Sequence, residues 1–211
     1  YVNDSEDDHG IFIPLPYDHS DSVTFLRLLG VVGIMMVFDE QIMDVVQDNT
    51  NDFTARIANV GDLMGGRNGL APFLLGSYAV GLVFRNNNLR RTALSSIANA
   101  ALSGAIVEVL KAITHRNRPR DNNGAYQFDG PAWSSDNTSF PSAHSAGAWA
   151  VATVFATNYS ETRWVPVLAY GMATLVSWSR THDFAHWASD VTLGAGIAYF
   201  TGKLFRRRTD Q

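Results

Sequence analysis

The chain has 211 residues, a length that suits one domain, or one domain with a small appendage, and allows a sizeable buried core. Hydrophobic residues make up 46% of it and charged residues only 17%, which excludes a disordered chain. The net charge of -4 argues against nucleic-acid binding, because affinity for a phosphate backbone needs clustered excess Lys and Arg. The chain has no cysteine, which excludes disulfides, zinc–thiolate sites and a thiol nucleophile.

The first 20 residues are rich in acidic residues and prolines and show no periodicity, so we predict an N-terminal surface arm over residues 1–20. A single helical domain is predicted over residues 21–211. The chain begins at Tyr1 and runs directly into an acidic stretch, which fits a start left by removal of a secretory signal or by trimming.

Apolar residues recur at helical spacing through most of the remaining chain. In chain order the pattern predicts helices over residues 23–47, with a break near Asp39, and then over 53–60, 70–84, 91–114, 142–159, 165–178 and 187–204. Four glycines between Gly61 and Gly69 predict a flexible connection, and the polar residues 115–140 predict a long loop that forms a site wall. No alternation of period two indicates a strand, so the predicted fold class is all-α, a compact helical bundle of roughly six to eight helices.

Several apolar stretches are long enough to require a test for membrane insertion. Arg27 interrupts the first, and Asn99 and Glu108 interrupt a later one, whereas a spanning helix needs about 20 predominantly apolar residues. We therefore expect a soluble protein, periplasmic or secreted, whose apolar helices bury one another. Association with a membrane is the alternative.

Two basic residues, Lys111 and Arg118, lie seven positions apart at the boundary between a helix and the long loop. Pro119 favours an extended backbone at Arg118, which can direct the guanidinium away from the helix. A single Lys or Arg is usually a solvated surface charge, but the basic residues from Lys111 to Arg120 are concentrated in an otherwise acidic chain. These charges are candidates for binding an anion.

Ser142 and Ala143 follow Pro141 at a predicted helix start, where unpaired backbone N–H groups and the helix dipole favour an anion. His144 shares this helix start, so the dipole is expected to lower its pKa unless a bound phosphate dianion restores the proton. A serine in this place is ordinarily only a helix cap. A histidine here is ordinarily structural.

His186 and Asp190 are four residues apart, so on one helix face the carboxylate can hold one ring nitrogen while the other points outward. Arg180 precedes them and is placed to reach the same anion. A metal site is the alternative for this segment, with imidazole and carboxylate ligands. Its ligands would be His182, Asp183, His186 and Asp190.

Taken together, these residues form three motifs in a fixed order. The motifs are Lys111-x6-Arg118-Pro119, Pro141-Ser142-Ala143-His144 and Ser179-Arg180-x5-His186-x3-Asp190. In order and spacing they resemble the signature of the type 2 phosphatidic acid phosphatase superfamily, which includes lipid phosphate phosphatases, bacterial non-specific acid phosphatases and vanadium haloperoxidases. The apolar helices on either side are similar to that family's helical bundle, and the first 90 residues match only in general character.

The resemblance implies a metal-independent phosphatase of phosphate monoesters. His186 would attack phosphorus to form a phosphohistidine, Asp190 would orient His186, and His144 would protonate the leaving alkoxide and later activate water. The residues expected to hold the phosphoryl oxygens are Lys111, Arg118, Arg180, Ser142 and the backbone N–H of Ala143. Ala143 stands where the family more often has glycine, which we expect to reduce the space at this point without loss of function.

Two other functions are considered. A vanadate-dependent haloperoxidase would use the same pocket with vanadate as its cofactor, whereas a phosphatase would need no cofactor and would be inhibited by vanadate. A non-catalytic phosphate-binding domain is the other reading, and the complete set of His144, His186 and Asp190 argues against it.

The expected substrate is a small-molecule or lipid phosphate, including isoprenoid diphosphates, and the sequence does not decide between a soluble and a lipid substrate. A lipid would require an apolar groove or contact with a membrane surface. Four aromatic residues near the motifs are candidates for such a groove and equally for the core. They are Trp133, Phe140, Phe184 and Trp187.

Overall fold

The computed structural model describes residues 19–132 and 138–205. Within these ranges it contains seven α-helices and one short 3-10 turn. They are α1 His19–Asp48, α2 Asp52–Gly65, α3 Arg67–Val83, α4 Asn87–Thr114, the 3-10 turn Pro119–Asp121, α5 Ala143–Asn158, α6 Trp164–His182 and α7 Ala188–Lys203. The prediction of an all-α bundle of six to eight helices is confirmed, and the described residues contain one isolated β-bridge and no strand. Residues 1–18 of the predicted arm lie outside the described ranges, and its last two residues begin α1.

The central helix is α5, which packs against α4, α6 and α7. One of its faces buries Ala146 and Ala150 against α4 and α7, and another buries Ala148 and Ala152 against α6. Because the alanine side chain is small, these helices approach closely on several sides of α5. The packing brings the ends of α4 and α6 and the starts of α5 and α7 together at one end of the bundle.

The break predicted near Asp39 is wrong, because α1 continues for 30 residues from His19 to Asp48. Asp39 is fully buried rather than placed at a helix end. A mid-helix aspartate is only mildly unfavourable by propensity, and here its carboxylate receives buried hydrogen bonds from other elements. This buried carboxylate holds Arg116 and the start of α7 next to the candidate site described below.

The flexible connection predicted between Gly61 and Gly69 is also wrong. Gly61 and Gly65 lie inside α2, and the turn to α3 is made at Gly66. A Cβ atom at Gly61 would lie 2.8 Å from the carbonyl oxygen of Leu175, and one at Gly65 would lie 2.2 Å from Cγ1 of Val176. These glycines therefore serve close packing of α2 on α6.

The outer surface of the bundle is strongly apolar. Two stretches, Ser20–Asp48 and Asn87–Thr114, are long and apolar enough to cross a membrane, and only 6% and 28% of their apolar windows are buried. The expectation that the apolar helices bury one another is therefore wrong for α1, because its large side chains face outward around most of the helix. The membrane-associated alternative fits this surface. The exposed apolar residues of α1 are Phe25, Leu26, Leu29, Val31, Ile34, Val37, Phe38 and Val45.

Replacing Gly65 with alanine should destabilise the protein by about 1–3 kcal/mol, since the new methyl group overlaps the stiff side chain of Val176. Gly76→Ala in α3 is the matched control, because nothing lies within 4 Å of a Cβ atom there. It should leave stability unchanged or raise it by up to about 1 kcal/mol through helix propensity. Thermal unfolding of the two purified variants measures the difference, and equal melting temperatures would contradict close packing of α2 on α6.

Candidate active site

A fully buried arginine, Arg116, joins three parts of the chain at the end of the bundle. Its guanidinium donates to the carboxylate of Asp39 in α1 at 2.8 Å and to that of Asp190 in α7 at 2.7 Å. It also donates to the hydroxyl of Ser189 and to the carbonyl of Ala125. Sequence reasoning did not assign Arg116 or Asp39 to the site, because 77 positions separate them.

Aromatic rings enclose Arg116. The guanidinium carbon lies 5.3 Å from the ring centre of Phe128, 5.8 Å from that of Phe140 and 5.4 Å from that of Trp187. Phe184 packs against the small core cluster that contains Trp187. The sequence left four aromatic residues open. Phe140, Phe184 and Trp187 are part of the core, and Trp133 lies outside the described residues.

The Asp190 carboxylate is a junction of hydrogen bonds. It accepts a hydrogen bond from the backbone N–H of Trp187 at 2.7 Å, and this bond caps the start of α7. It also accepts hydrogen bonds from the hydroxyl of Ser139 and from the guanidinium of Arg116. Since all these partners donate, Asp190 is held as an ionised acceptor. It thereby fixes the loop that carries Ser139 against the start of α7.

The imidazole of His186 is buried and directed by a backbone carbonyl. Its Nδ1 lies 2.7 Å from the carbonyl oxygen of Ser139 and 3.7 Å from the Asp190 carboxylate, which is too long for a hydrogen bond. The expected direct contact with Asp190 is therefore replaced by Ser139, which Asp190 in turn positions. Because a carbonyl can only accept, Nδ1 carries the proton and Nε2 keeps a free electron pair.

Burial lowers the pKa of His186 to about 4, although the neighbouring carboxylate of Asp190 acts in the opposite direction. The positive charges of Lys111 and Arg118 lower this pKa further. His186 is therefore neutral at physiological pH, the state in which an imidazole can act as a nucleophile.

Three cations converge on the two histidines. The ammonium group of Lys111, at the end of α4, donates to the carbonyl of Thr138 at 2.8 Å and is buried. Arg118 has the extended backbone that Pro119 predicts, and its Nε is buried without a hydrogen-bond partner among the described residues. Arg180 lies at the end of α6, where its guanidinium meets the carboxylates of Asp62 and Asp183.

The start of α5 has the form expected of an anion site. Ser142 is the N-cap residue and its backbone N–H donates to the Asp190 carbonyl at 3.0 Å, while Ala143 is the first helical residue. The first N–H groups of a helix have no partner within it. A Cβ atom at Gly194 in α7 would lie 2.5 Å from the Ser142 carbonyl oxygen, so a glycine is needed for this close approach.

His144 follows on the same turn and is 37% exposed, so a substrate can reach it. Burial, and next the positive charge of Arg180, lower its pKa below the ordinary value. The direction agrees with the sequence analysis, but the cause differs, since the helix dipole was the reason given there. Its Nε2 lies 3.7 Å from the carboxylate of Asp62 in α2, a residue that sequence reasoning missed because it is distant from every motif.

The alternative metal site is not formed. Among the described residues, no group of three or more His, Asp or Glu side chains is placed to hold a metal ion. His182 instead contacts the Thr54 hydroxyl and the Asp183 carboxylate, and His186 contacts Ser139. The two histidines therefore contact different groups and do not face one common ion.

A deep apolar groove of about 780 Å³ begins next to the polar site. It lies between α5 and α6 and is closed on one side by the end of α2 and the first half of α3. Its walls start at Leu63 and Met64, which directly follow Asp62, and at Ala148, which lies one helical turn beyond His144. The rim is apolar and exposed at Phe73, Leu63, Trp164, Leu168 and Met172.

Comparison with known proteins agrees with the motifs. The family model of the PAP2 superfamily matches residues 92–210. Lipid A 1-phosphatase from Porphyromonas gingivalis is 30% identical over 182 residues, which are 85% of this chain and 36% of that protein. The chain thus spans about a third of the length of this relative.

Two crystal structures have a similar fold. The first transmembrane PAP2 type phosphatidylglycerolphosphate phosphatase from Bacillus subtilis is 21% identical, with a TM-score of 0.65 over 90% of this chain and 96% of that one. LpxE from Aquifex aeolicus is 18% identical, with a TM-score of 0.58 over 78% of this chain and 92% of that one. At these identities the likeness concerns the fold.

Replacing Arg116 with methionine should destabilise the protein by about 3–5 kcal/mol, because the carboxylates of Asp39 and Asp190 would remain buried without their partner. Arg120→Met in the same loop is the control. Arg120 is exposed, and its loss should change stability by less than about 0.5 kcal/mol. Chemical denaturation of both variants gives the comparison, and a small loss for Arg116→Met would show that the buried charges are not mutually dependent.

Proposed function

This chain belongs to the PAP2 superfamily, and from that premise we propose that it hydrolyses lipid phosphate monoesters at the surface of a membrane crossed by its helices. The observation that supports the proposal is that the apolar groove begins beside the cluster of cations and histidines, since Leu63 of its wall follows Asp62 and Ala148 lies one helical turn beyond His144. A soluble ester would use only the polar end. A lipid uses both, because its phosphate lies among the cations while its chain lies in the groove.

The dimensions of the groove support a lipid chain. Its wall on α5 runs from Ala148 to Tyr159, and the distance from His144 to Tyr159 is about 22 Å at the rise of an α-helix. One leaflet of a bilayer has a hydrocarbon depth of about 15 Å, half of the whole. The groove is therefore long enough to hold an acyl chain whose headgroup stays at the polar end.

The outer surface supports membrane insertion, with α1 and α4 as the spans. A bilayer covers the apolar side chains that would otherwise face water on α1. The localisation expected from the sequence, periplasmic or secreted, becomes in this proposal a site at the periplasmic surface of that membrane.

In the first chemical step, Nε2 of His186 attacks phosphorus while the bond from phosphorus to the leaving oxygen breaks. Lys111, Arg118 and Arg180, together with the start of α5, hold the phosphoryl oxygens and stabilise the charge of the transition state. Protonated His144 gives its proton to the leaving alkoxide. The products of the step are an alcohol and a phosphohistidine.

In the second step, neutral His144 takes a proton from water, and the resulting hydroxide attacks the phosphohistidine. The bond from phosphorus to Nε2 breaks and inorganic phosphate leaves, so His186 and His144 return to their starting states. The contact from Nδ1 to the Ser139 carbonyl keeps Nε2 as the reacting nitrogen throughout. The three protein cations and the N–H groups at the start of α5 supply the charge stabilisation in this scheme.

His186→Ala should reduce hydrolysis by at least about 10⁴-fold, because the nucleophile is lost. The measurement is phosphate release from phosphatidic acid, phosphatidylglycerol phosphate and an isoprenoid diphosphate in mixed micelles. Rapid quenching of the wild type with a ³²P-labelled substrate should give an acid-labile protein phosphate that the variant lacks.

His115→Asn is the matched histidine control, because asparagine tolerates the left-handed backbone of His115. It should keep activity within about twofold, because Nδ1 of His115 has no hydrogen-bond partner among the described residues. EDTA should have no effect and vanadate should inhibit. Full dependence on an added divalent metal, or halide oxidation after vanadate loading, would contradict the proposed reaction.

Ala169→Phe tests the groove, because a large ring on α6 would fill part of its volume. We expect KM for long-chain lipid phosphates to rise by about tenfold, the usual cost of losing roughly 1.4 kcal/mol of apolar contact. Hydrolysis of p-nitrophenyl phosphate should be unchanged. Ala101→Phe, on an exposed position of α4, is the control. An equal loss on both substrates in Ala169→Phe would argue against a lipid chain in the groove.

A further inference from the structure

We propose that Asp62 is a positioning residue for the acid–base histidine, so that His144 and Asp62 form a second histidine–carboxylate pair across the phosphate site from His186 and Asp190. The inference rests on the proposed phosphatase function and concerns the same site. Asp62 lies in none of the three motifs and in a different helix from each of them.

The position of Asp62 is fixed by the packing of its helix. Gly61 and Gly65, four residues apart, let α2 lie against α6 at Ser179 and Val176. Such small residues at a spacing of four let two helix backbones come close. Since Asp62 follows Gly61 and Arg180 follows Ser179, the same contact places the carboxylate beside the guanidinium.

The resulting geometry links three charged groups. One oxygen of Asp62 lies 2.8 Å from NH1 of Arg180 and 3.7 Å from Nε2 of His144. The other amino group of Arg180 contacts Asp183 at 2.5 Å, so two carboxylates hold the guanidinium in one orientation. Asp62 therefore directs a phosphate-binding cation and, with the same oxygen, faces the histidine.

The charged groups that act on His144 come from every side of the site. Arg180 in α6, Arg118 in the long loop and Lys111 in α4 all favour loss of its proton, as burial does. Asp62 in α2 is the one charged group among those acting on it within the described residues that favours keeping the proton. An acid surrounded by three cations needs such a counter-charge to be protonated when the substrate arrives.

The pair is half exposed, with side-chain exposures of 37% and 49%, so water screens it and its effect is moderate. The protonated form of His144 is present below its pKa and is lost as the pH rises through it. Removing the Asp62 charge lowers that pKa, and the alkaline limb of the activity profile should move to lower pH. The acid limb belongs to His186, which must be neutral, and should stay near pH 4.

The experiment is the pH dependence of kcat/KM for Asp62→Asn, measured with one alkyl phosphate and with p-nitrophenyl phosphate. We expect the alkaline limb to shift down by about half a pH unit, which corresponds to about a threefold loss above that limb. The loss should be larger for the alkyl ester, because a poor leaving group depends more on the acid. Asp62→Glu should restore most of the wild-type profile.

Asp183→Asn is the matched control, because Asp183 shares the contact with Arg180 but otherwise contacts His182. It should change KM without moving the alkaline limb. An unmoved limb in Asp62→Asn, or an equal shift in Asp183→Asn, would overturn the assignment and leave Asp62 as a partner of Arg180 alone. A wild-type protein without phosphatase activity would instead contradict the proposed function.

Discussion

The buried guanidinium of Arg116 is the interaction on which the candidate site depends. It is shared between Asp39 of the first helix and Asp190 of the last, so it closes the bundle at the end where catalysis is proposed. Neither carboxylate could remain buried and charged without it. The site therefore exists only when the chain is folded from near its beginning to near its end.

This ion-pair triad also explains why Asp190 acts only at a distance on His186, the proposed nucleophile. Its oxygens are engaged by Arg116, Trp187 and the Ser139 hydroxyl, and the Ser139 carbonyl then meets the imidazole of His186. These contacts set which ring nitrogen is free to react, and the N–H of the imidazole donates to the Ser139 carbonyl instead of to the carboxylate. One network of contacts thus holds the loop, the start of α7 and His186.

The motifs could be predicted from the sequence because they are local patterns, in which spacing places His186 near Asp190 and Ser142 before a helix. Arg116, Asp39 and Asp62 could not, because their partners are far along the chain and only the folded bundle brings them together. The glycines of α2 were misread as flexible since a tight helix contact and a loose linker contain the same residue. The exposure of α1 was predicted wrongly, because hydropathy measures how apolar a helix is and does not show whether protein or lipid covers it.

One structural feature links chemistry and recognition. Asp62 and Leu63 are consecutive residues of α2, yet Asp62 faces His144 and Leu63 lines the groove. A displacement of this helix along α6 would move both residues together, so it would change the proposed binding of a hydrocarbon tail and the proposed pH optimum at the same time. Sequence change in α2 is accordingly constrained by two requirements at once, although the helix contains no motif residue.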